Sequence, residues 1–320
     1  MIHYSAPPIL LKNVIEDLNL VEDLLKRNAP YTPLGGWYAA GSPETDAPTS
    51  ALWFQNDWVH ANLKVEGSDL FLAHEGVIEA SKKFYDAEVI IPHSLYVNVM
   101  VAISEAGPAH TDNPRFQGRS RENTPMWLLR AMFWSGLFDE WSIVQATSIW
   151  WMNDVEGGAL RYWPNGPHAS PEEHVGEMAN TALVGDNHGM FHQVGPIGPF
   201  DHGTRRVTSR AEFSPADDGS GEWEVTDRGE VHFRAPLDAY RVSVLWKADV
   251  YPNEEERRRQ CATSLSVREV ERIFNEDLRK KKAGFRFDAE RLEDPTLAAA
   301  IAGVYPEARP IESLRTIYDA

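Results

Sequence analysis

His110-Thr111-Asp112 follows a strand-like run, Tyr96 to Ser104, and a turn that holds Gly107 and Pro108. In extended backbone, residues i and i+2 share a face, so the imidazole and the carboxylate can approach one ion from the same side. Alone, the motif is weak, and it reads first as a surface turn in which Asp112 caps the backbone that follows. A second histidine changes that weighing. His192 lies in GDNHGMFHQVGPIG, 80 residues after Asp112, in a strand-like setting followed by Val194 and Pro196. Two imidazoles and one carboxylate are the donor set of a facial triad for non-haem Fe(II), which leaves three coordination positions open. His188, four residues before His192, is the competing third ligand, and a half-buried sheet histidine is the plain alternative for either.

A third group lies on YRVSVLWKADVY, Tyr240 to Tyr251, where Arg241 and Ser243 share a strand face. A guanidinium beside a hydroxyl is suited to hold a carboxylate through two or three charge-assisted hydrogen bonds, so an anionic co-substrate would fit. The competing reading is an ordinary salt bridge to one of the many acids. Around these groups, Asn98 and Tyr96 alternate with apolar residues on the strand entering the His110 motif, and Trp150, Trp151 and Trp163 lie on strands that should flank it. A tryptophan on a strand is more often core than substrate platform. Arg115, Arg119, Arg121 and Arg130 cluster just after Asp112, where they either recognise a substrate carboxylate or phosphate or balance nearby acids in a solvated loop. Asn98, Arg115, Arg130 and Trp151 are the candidate substrate contacts.

The elements that must position these groups can be read from periodicity. Leu11, Val14, Leu18, Val21 and Leu25 step by three and four between acidic residues, which predicts an amphipathic helix over 9–27. Pro30 to Ser50 is a loop rich in Pro, Gly, Ser and Thr, and a second helix is expected from Ser68 to Phe84. AEVIIPHSLYVNVMVAIS, 87–104, predicts two consecutive strands broken at Pro92. A third helix covers Pro125 to Phe138. The short runs Ile143–Met152, Ala159–Trp163, Thr181–Val184 and Gly189–Val194, separated by turn residues, then have the rhythm of a β-sandwich or barrel. Residues 199–236 read as a hairpin insertion around DDGSGE, 240–251 as one more core strand, and the chain beyond Pro252 as charged helices. The basic runs at 257–259 and 280–282 sit among acids and read as exposed helix faces. The expected organisation is one domain: a helical and loop region over 1–86, a β core over 87–251, and a helical region over 252–320.

Composition narrows the function classes. The 320 residues carry 48 acidic and 31 basic side chains, a net charge of -17, which repels a phosphate backbone and an anionic bilayer and argues against a nucleic-acid substrate. A single cysteine, Cys261, cannot form an intramolecular disulfide or a Cys-rich metal site, so any metal must use histidines and carboxylates. The N-terminal run lacks the core and basic leader of a signal peptide, and no apolar stretch approaches the ~20 residues of a spanning helix. A cytoplasmic protein with no membrane partner is expected. The 11 Trp incline the substrate toward an apolar part and the arginines toward an acidic one. The terminal helices either brace the core or form a homodimer interface.

His110-x-Asp112, the later His192 followed by Val194, and the Arg241-x-Ser243 strand stand in the order seen in the Fe(II)/2-oxoglutarate-dependent dioxygenases. EGGALRYWPNG, Glu156 to Gly166, resembles the Gly-Gly-x-Leu strand that often lies between the two halves of that motif. The resemblance spans residues 90–250 at motif level. It implies a double-stranded β-helix, also called a jelly roll or cupin-like core, here mainly β with flanking helices. Carried over residue by residue, it implies that His110, Asp112 and His192 bind Fe(II) while Arg241 and Ser243 hold the distal carboxylate of 2-oxoglutarate. With O₂, 2-oxoglutarate would be decarboxylated to succinate and CO₂ and a small-molecule substrate oxidised, most often hydroxylated. The presence of Asp112 favours hydroxylation, desaturation or ring formation over halogenation.

One departure stands out. In many members the arginine follows the distal histidine by about ten residues, whereas Arg241 lies 49 residues after His192. The insertion at 199–236 accounts for the gap; otherwise Arg205 or Arg206 becomes the anchor. Two other functions stay open from sequence: a cupin-like metal dioxygenase or isomerase that uses no 2-oxoglutarate, and a non-catalytic jelly-roll protein that binds a small ligand. Loops 30–50 and 199–236 are candidate lids.

Overall fold

The structure, a computed structural model, describes residues 7–33, 49–50, 53–198 and 206–316. Its centre is a large antiparallel sheet whose strands run in the order Ile9–Lys12, Thr181–Gly185, Ser142–Trp151, Arg241–Tyr251, Val89–Met100, Phe54–His60 and Thr32–Pro33. A smaller sheet, Glu172–His174, Leu160–Tyr162 and His192–Val194, is extended by a bridge between His110 and His192. From Val89 to Tyr251 the chain passes back and forth between the two sheets, the connectivity of a jelly roll. The core is therefore mainly β with flanking helices, as expected.

Alternation decides what each face of the large sheet does. Along Arg241–Tyr251, Val242, Val244 and Trp246 join Trp150, Val97 and Trp58 in one apolar core, beneath the helices Leu18–Arg27, Asp69–Leu72 and Glu75–Tyr85. The opposite residues face the small sheet, where Leu245, Met100, Ile149 and Trp151 pack with Leu160, Tyr162 and Val194. Every polar candidate on this strand, Arg241 and Ser243, shares the face of Leu245. A third core is built from Met126–Ser135 and the C-terminal helices Val267–Lys281 and Pro295–Val304 around Phe138, Phe274 and Phe287. The C-terminal segment returns to the small sheet, since Thr316 bridges Ala109 and Trp163 donates its indole N–H to Ile311 O at 2.9 Å. The C-terminal segment thus braces the small sheet.

Several elements differ from the sequence reading. The helix expected over 9–27 begins only at Leu18: Ile9–Lys12 pairs with Thr181–Gly185 as an edge strand. Asn13 turns the chain with φ 52°, and Asp17 caps the helix through Asn19 N. An amphipathic stripe cannot foresee that a sheet edge needs a partner. Residues 87–104 form one strand, Val89–Met100, instead of two. Pro92 is tolerated because His93 is bulged out of the register with Arg241–Tyr251, and because pairing to Phe54–His60 stops at Leu95. The helix expected over 68–84 is split at His74, whose Nδ1 accepts from Val77 N and caps the second piece. The described part of the insertion carries four strands: Arg206–Val207, paired with Thr49–Ser50, and the three-stranded sheet Glu212–Pro215, Trp223–Asp227 and Glu230–Ala235. Phe213 and Trp223 pack into the core on the large sheet's far face, away from His110 and His192. The described part of 199–236 is therefore no lid over the metal motif, and residues 34–48 of the other candidate lid lie outside the described residues. No helix among the described residues is long and apolar enough to cross a membrane.

Candidate metal centre and anion pocket

His110, Asp112 and His192 converge, with one donor atom from each lying within 4.8 Å of the others. Two backbone hydrogen bonds, His110 N to His192 O at 3.0 Å and His192 N to His110 O at 2.9 Å, clamp the two histidine segments together. The rings lie 4.3 Å apart between centroids, and His192 Nε2 is 3.8 Å from Asp112 Oδ1. His110 Nδ1 is 2.8 Å from Pro108 O, and His192 Nδ1 is 3.3 Å from Met190 O. A carbonyl can only accept, so each Nδ1 carries the proton and each Nε2 keeps its lone pair for an ion. Burial, with His192 beside it, pushes His110 down to about 3, and burial also lowers His192. Both are neutral near pH 7, the form that ligates. Burial alone would raise Asp112, but Lys247 and then His192 hold it below the usual carboxylate range. Two neutral imidazoles and one ionised, mostly enclosed carboxylate fit a divalent non-haem iron.

His188, the competing ligand, stays outside the triad. It is buried with neither ring nitrogen hydrogen-bonded, 3.9 Å from Asp186, and burial together with Lys247 lowers it to about 3.

At the far end of the same strand face, Arg241 is 2% exposed. Its Nε donates to Gly158 O at 3.0 Å, its guanidinium lies 5.7 Å over the Trp151 ring, and Nη1 is 3.4 Å from Ser243 Oγ. Nη2 has no partner, and no carboxylate pairs with this cation among the described residues. Burial alone lowers its pKa to about 9, so it stays charged at neutral pH. Asn98 sits opposite Ser243 in register, with its Oδ1 buried and unpartnered. The expected Arg241 and Ser243 pair is thus brought together with Asn98 and Trp151 on one interior face of the large sheet. Arg205 lies outside the described residues, so the competing anchor at 205–206 rests on sequence alone.

The Gly-Gly-x-Leu segment explains how Arg241 fits. A Cβ on Gly158, whose φ is 66°, would lie 3.0 Å from Arg241 Cδ, and one on Gly157 would strike Pro196 O at 2.4 Å. Both positions require glycine's missing side chain and its freedom at positive φ.

The remaining candidates separate. Trp151 lies under the Arg241 guanidinium, with the His174 ring tilted against it at 4.8 Å, whereas Trp150 lies in the opposite core and Trp163 packs against Ala109 and Phe191. Arg115 is engaged by Asp249 at 2.7 Å and by His93. Arg130 pairs with Glu307 and donates to Thr111 O at 3.1 Å, which anchors the His110-Asp112 segment from outside. Arg119 donates to Leu265 O, and Arg121 is half exposed. The arginine cluster is thus mostly consumed by structural contacts.

One residue was missed. Lys247 Nζ lies 3.0 Å from Asp112 Oδ2 and 5.8 Å over the Tyr96 ring, on the face of Arg241 and Ser243. The alternation Arg241, Ser243, Leu245, Lys247 was visible in the sequence; the convergence with Asp112 was not.

No protein-family model matches this sequence, and no curated protein matches it. Among solved structures, the chain is similar to a 2OG-Fe(II) oxygenase family oxidoreductase from Burkholderia pseudomallei, at 11% identity over 77% of this chain and 86% of that one, TM-score 0.39. It is similar to a Pseudomonas putida prolyl-4-hydroxylase at 13% identity over 77% and 94%, TM-score 0.38. A non-heme alpha ketoglutarate dependent carbocyclase from nogalamycin biosynthesis overlaps at 10% identity over 82% and 89%, TM-score 0.41. Likeness this distant assigns no function, which has to come from the triad and the pocket themselves.

Proposed function

We propose that this protein is an Fe(II)- and 2-oxoglutarate-dependent oxygenase that oxidises, most often by hydroxylation, a small-molecule substrate. The observation that carries the reading is Arg241: a buried, charged guanidinium with an unpartnered Nη2 and, among the described residues, no acid to neutralise it, on the interior face it shares with the side chain that touches the metal triad. A buried cation without a counter-ion is costly unless a ligand supplies one. Arg241 and Ser243 would hold the distal carboxylate of 2-oxoglutarate, and His110, Asp112 and His192 would hold Fe(II). When bound, the iron and co-substrate supply the O₂-dependent oxidation, with succinate and CO₂ as co-products.

The chain's own residues bind and orient. The clamped backbones of His110 and His192 keep the two imidazoles side by side, where they would hold the metal, and their Nδ1–H groups fix the rings on Pro108 O and Met190 O. Trp151 and Leu245, both buried in the apolar cluster between the sheets, keep water from the face that carries Arg241 and Ser243. A buried arginine with no acid beside it among the described residues supports the 2-oxoglutarate reading over a cupin-like enzyme that uses no anionic co-substrate.

The test is an anaerobic titration of metal-free protein with Fe(II) and then 2-oxoglutarate, followed through the visible metal-to-ligand charge-transfer band of the chelate. We expect a band in the wild type, none in His192→Ala, and a requirement for far more 2-oxoglutarate in Arg241→Ala. Iron binding without a band would replace the proposal by the cupin-like reading, and no iron binding at all by a ligand-binding jelly roll.

A further inference from the structure

Lys247 has no role in the reading above. It lies six residues from Arg241 on the same face, roughly 20 Å along the strand. Arg241 sits beside Gly158 and Met100, whereas Lys247 sits against Asp112 at the opposite end of the face. A five-carbon diacid that chelates the metal and reaches Arg241 therefore lies on the other side of the triad from Lys247. The two oxygens of Asp112 are divided: Oδ1 faces His192 at 3.8 Å, and Oδ2 faces Lys247 at 3.0 Å. Asp112 is the one carboxylate paired with Lys247 among the described residues, and an ammonium has three donors. Both side chains keep some exposure, 16% for Lys247 and 11% for Asp112, against 6% for His192, so they stand on the open side of the triad.

A metal on this triad claims the charge of Asp112 and leaves Lys247 as a mostly buried cation beside the reaction position. The neighbouring cations do not share this situation. Arg115 keeps Asp249, Arg130 keeps Glu307, and Arg121 is half exposed. In a chain of net charge -17, one cation whose counter-ion is withdrawn by metal loading is a local anion site.

We propose that Lys247 binds an anionic group, a carboxylate or a phosphate, of the primary substrate, and that the oxidised carbon lies close to that group. The inference rests on the oxygenase reading for the word substrate, but the anion site itself needs only the metal triad.

The experiment uses the full chain under anaerobic conditions in wild type, Lys247→Met and Lys247→Arg. Co(II) alone is titrated first, read by its visible spectrum. Lys247→Met, which no longer places a cation beside the metal, should bind Co(II) at least about tenfold tighter, and equal or weaker binding overturns the shared-carboxylate arrangement. Hexanoate, hexyl phosphate and hexanamide are then titrated into protein saturated with Fe(II) and 2-oxoglutarate, read as displacement of the charge-transfer band. In the wild type an acid should act at tenfold or more lower concentration than the amide. That preference should vanish in Lys247→Met and persist in Lys247→Arg, and the more effective acid distinguishes carboxylate from phosphate. No acid preference in the wild type, or one that survives in Lys247→Met, overturns the proposal. The wild-type comparison needs no variant to fold. A missing band in the wild type overturns the oxygenase reading instead, and the Co(II) comparison still tests Lys247.

Discussion

Replacing Arg241 by Met separates a ligand-binding arginine from a structural one. Burial lowers its pKa from 12.5 to about 9, which at 1.36 kcal/mol per unit corresponds to roughly 5 kcal/mol spent on keeping a charge out of water. Against this stand a hydrogen bond to Gly158 O, a long one to Ser243 Oγ and the contact with Trp151, together about 3–4 kcal/mol. Methionine fills much of the same volume without a charge, so the ligand-free variant should be at least as stable as the wild type. With 2-oxoglutarate the sign reverses. Two charge-assisted hydrogen bonds to a carboxylate are worth about 3–5 kcal/mol, so affinity should fall roughly 10²–10³-fold. Thermal unfolding followed by circular dichroism gives the first quantity, and the anaerobic charge-transfer titration gives the second. A ligand-free Arg241→Met that is several kcal/mol less stable, with unchanged affinity for 2-oxoglutarate, would refute the reasoning, because Arg241 would then be a structural residue.

Other expectations follow from the same geometry. Gly158→Ala places a methyl 3.0 Å from Arg241 Cδ at φ 66°, so it should cost about 1–2 kcal/mol of stability and weaken 2-oxoglutarate binding, measured by the same two assays. Arg130→Met releases the Thr111 carbonyl and leaves Glu307 unpaired, which should loosen the His110-Asp112 segment and lower Co(II) affinity by about tenfold or more, while Arg119→Met should leave Co(II) affinity unchanged. For the metal-free protein, His110 and His188 are held near 3 when folded but titrate near 6.5 when unfolded, so the unfolded chain binds more protons below pH 6.5 and stability falls as the pH drops. The loss is roughly 1 kcal/mol per histidine between pH 6.5 and 5.5. Asp186, raised by burial to about 6, regains less than ~1 kcal/mol over the same interval. Chemical denaturation at the two pH values should therefore show a net decrease, and no decrease would mean that these imidazoles are not desolvated.

The sequence by itself determined the chemistry on offer and its order along the chain. His110, Asp112 and His192 were legible because donor types and strand spacing are local properties, and Arg241-x-Ser243 was legible because alternation puts both on one face. The central strands were legible for the same reason, since turn residues and β-branched runs act within a few residues of themselves. The Ile9–Lys12 edge strand was hidden behind a helical stripe, and the bulge at His93 let a proline into a continuous strand; both depend on partners about 150 residues away. Tertiary structure alone decided which of several cations would be free. Arg115, Arg119 and Arg130 are claimed by Asp249, Leu265 O and Glu307, all more than 130 residues distant, whereas Arg241 is buried without an acid among the described residues. It also placed Lys247 against Asp112, a contact between segments 135 residues apart. Residue type fixes what a group can bind. Only the folded arrangement of counter-charges and of water exclusion settles whether it still needs a partner.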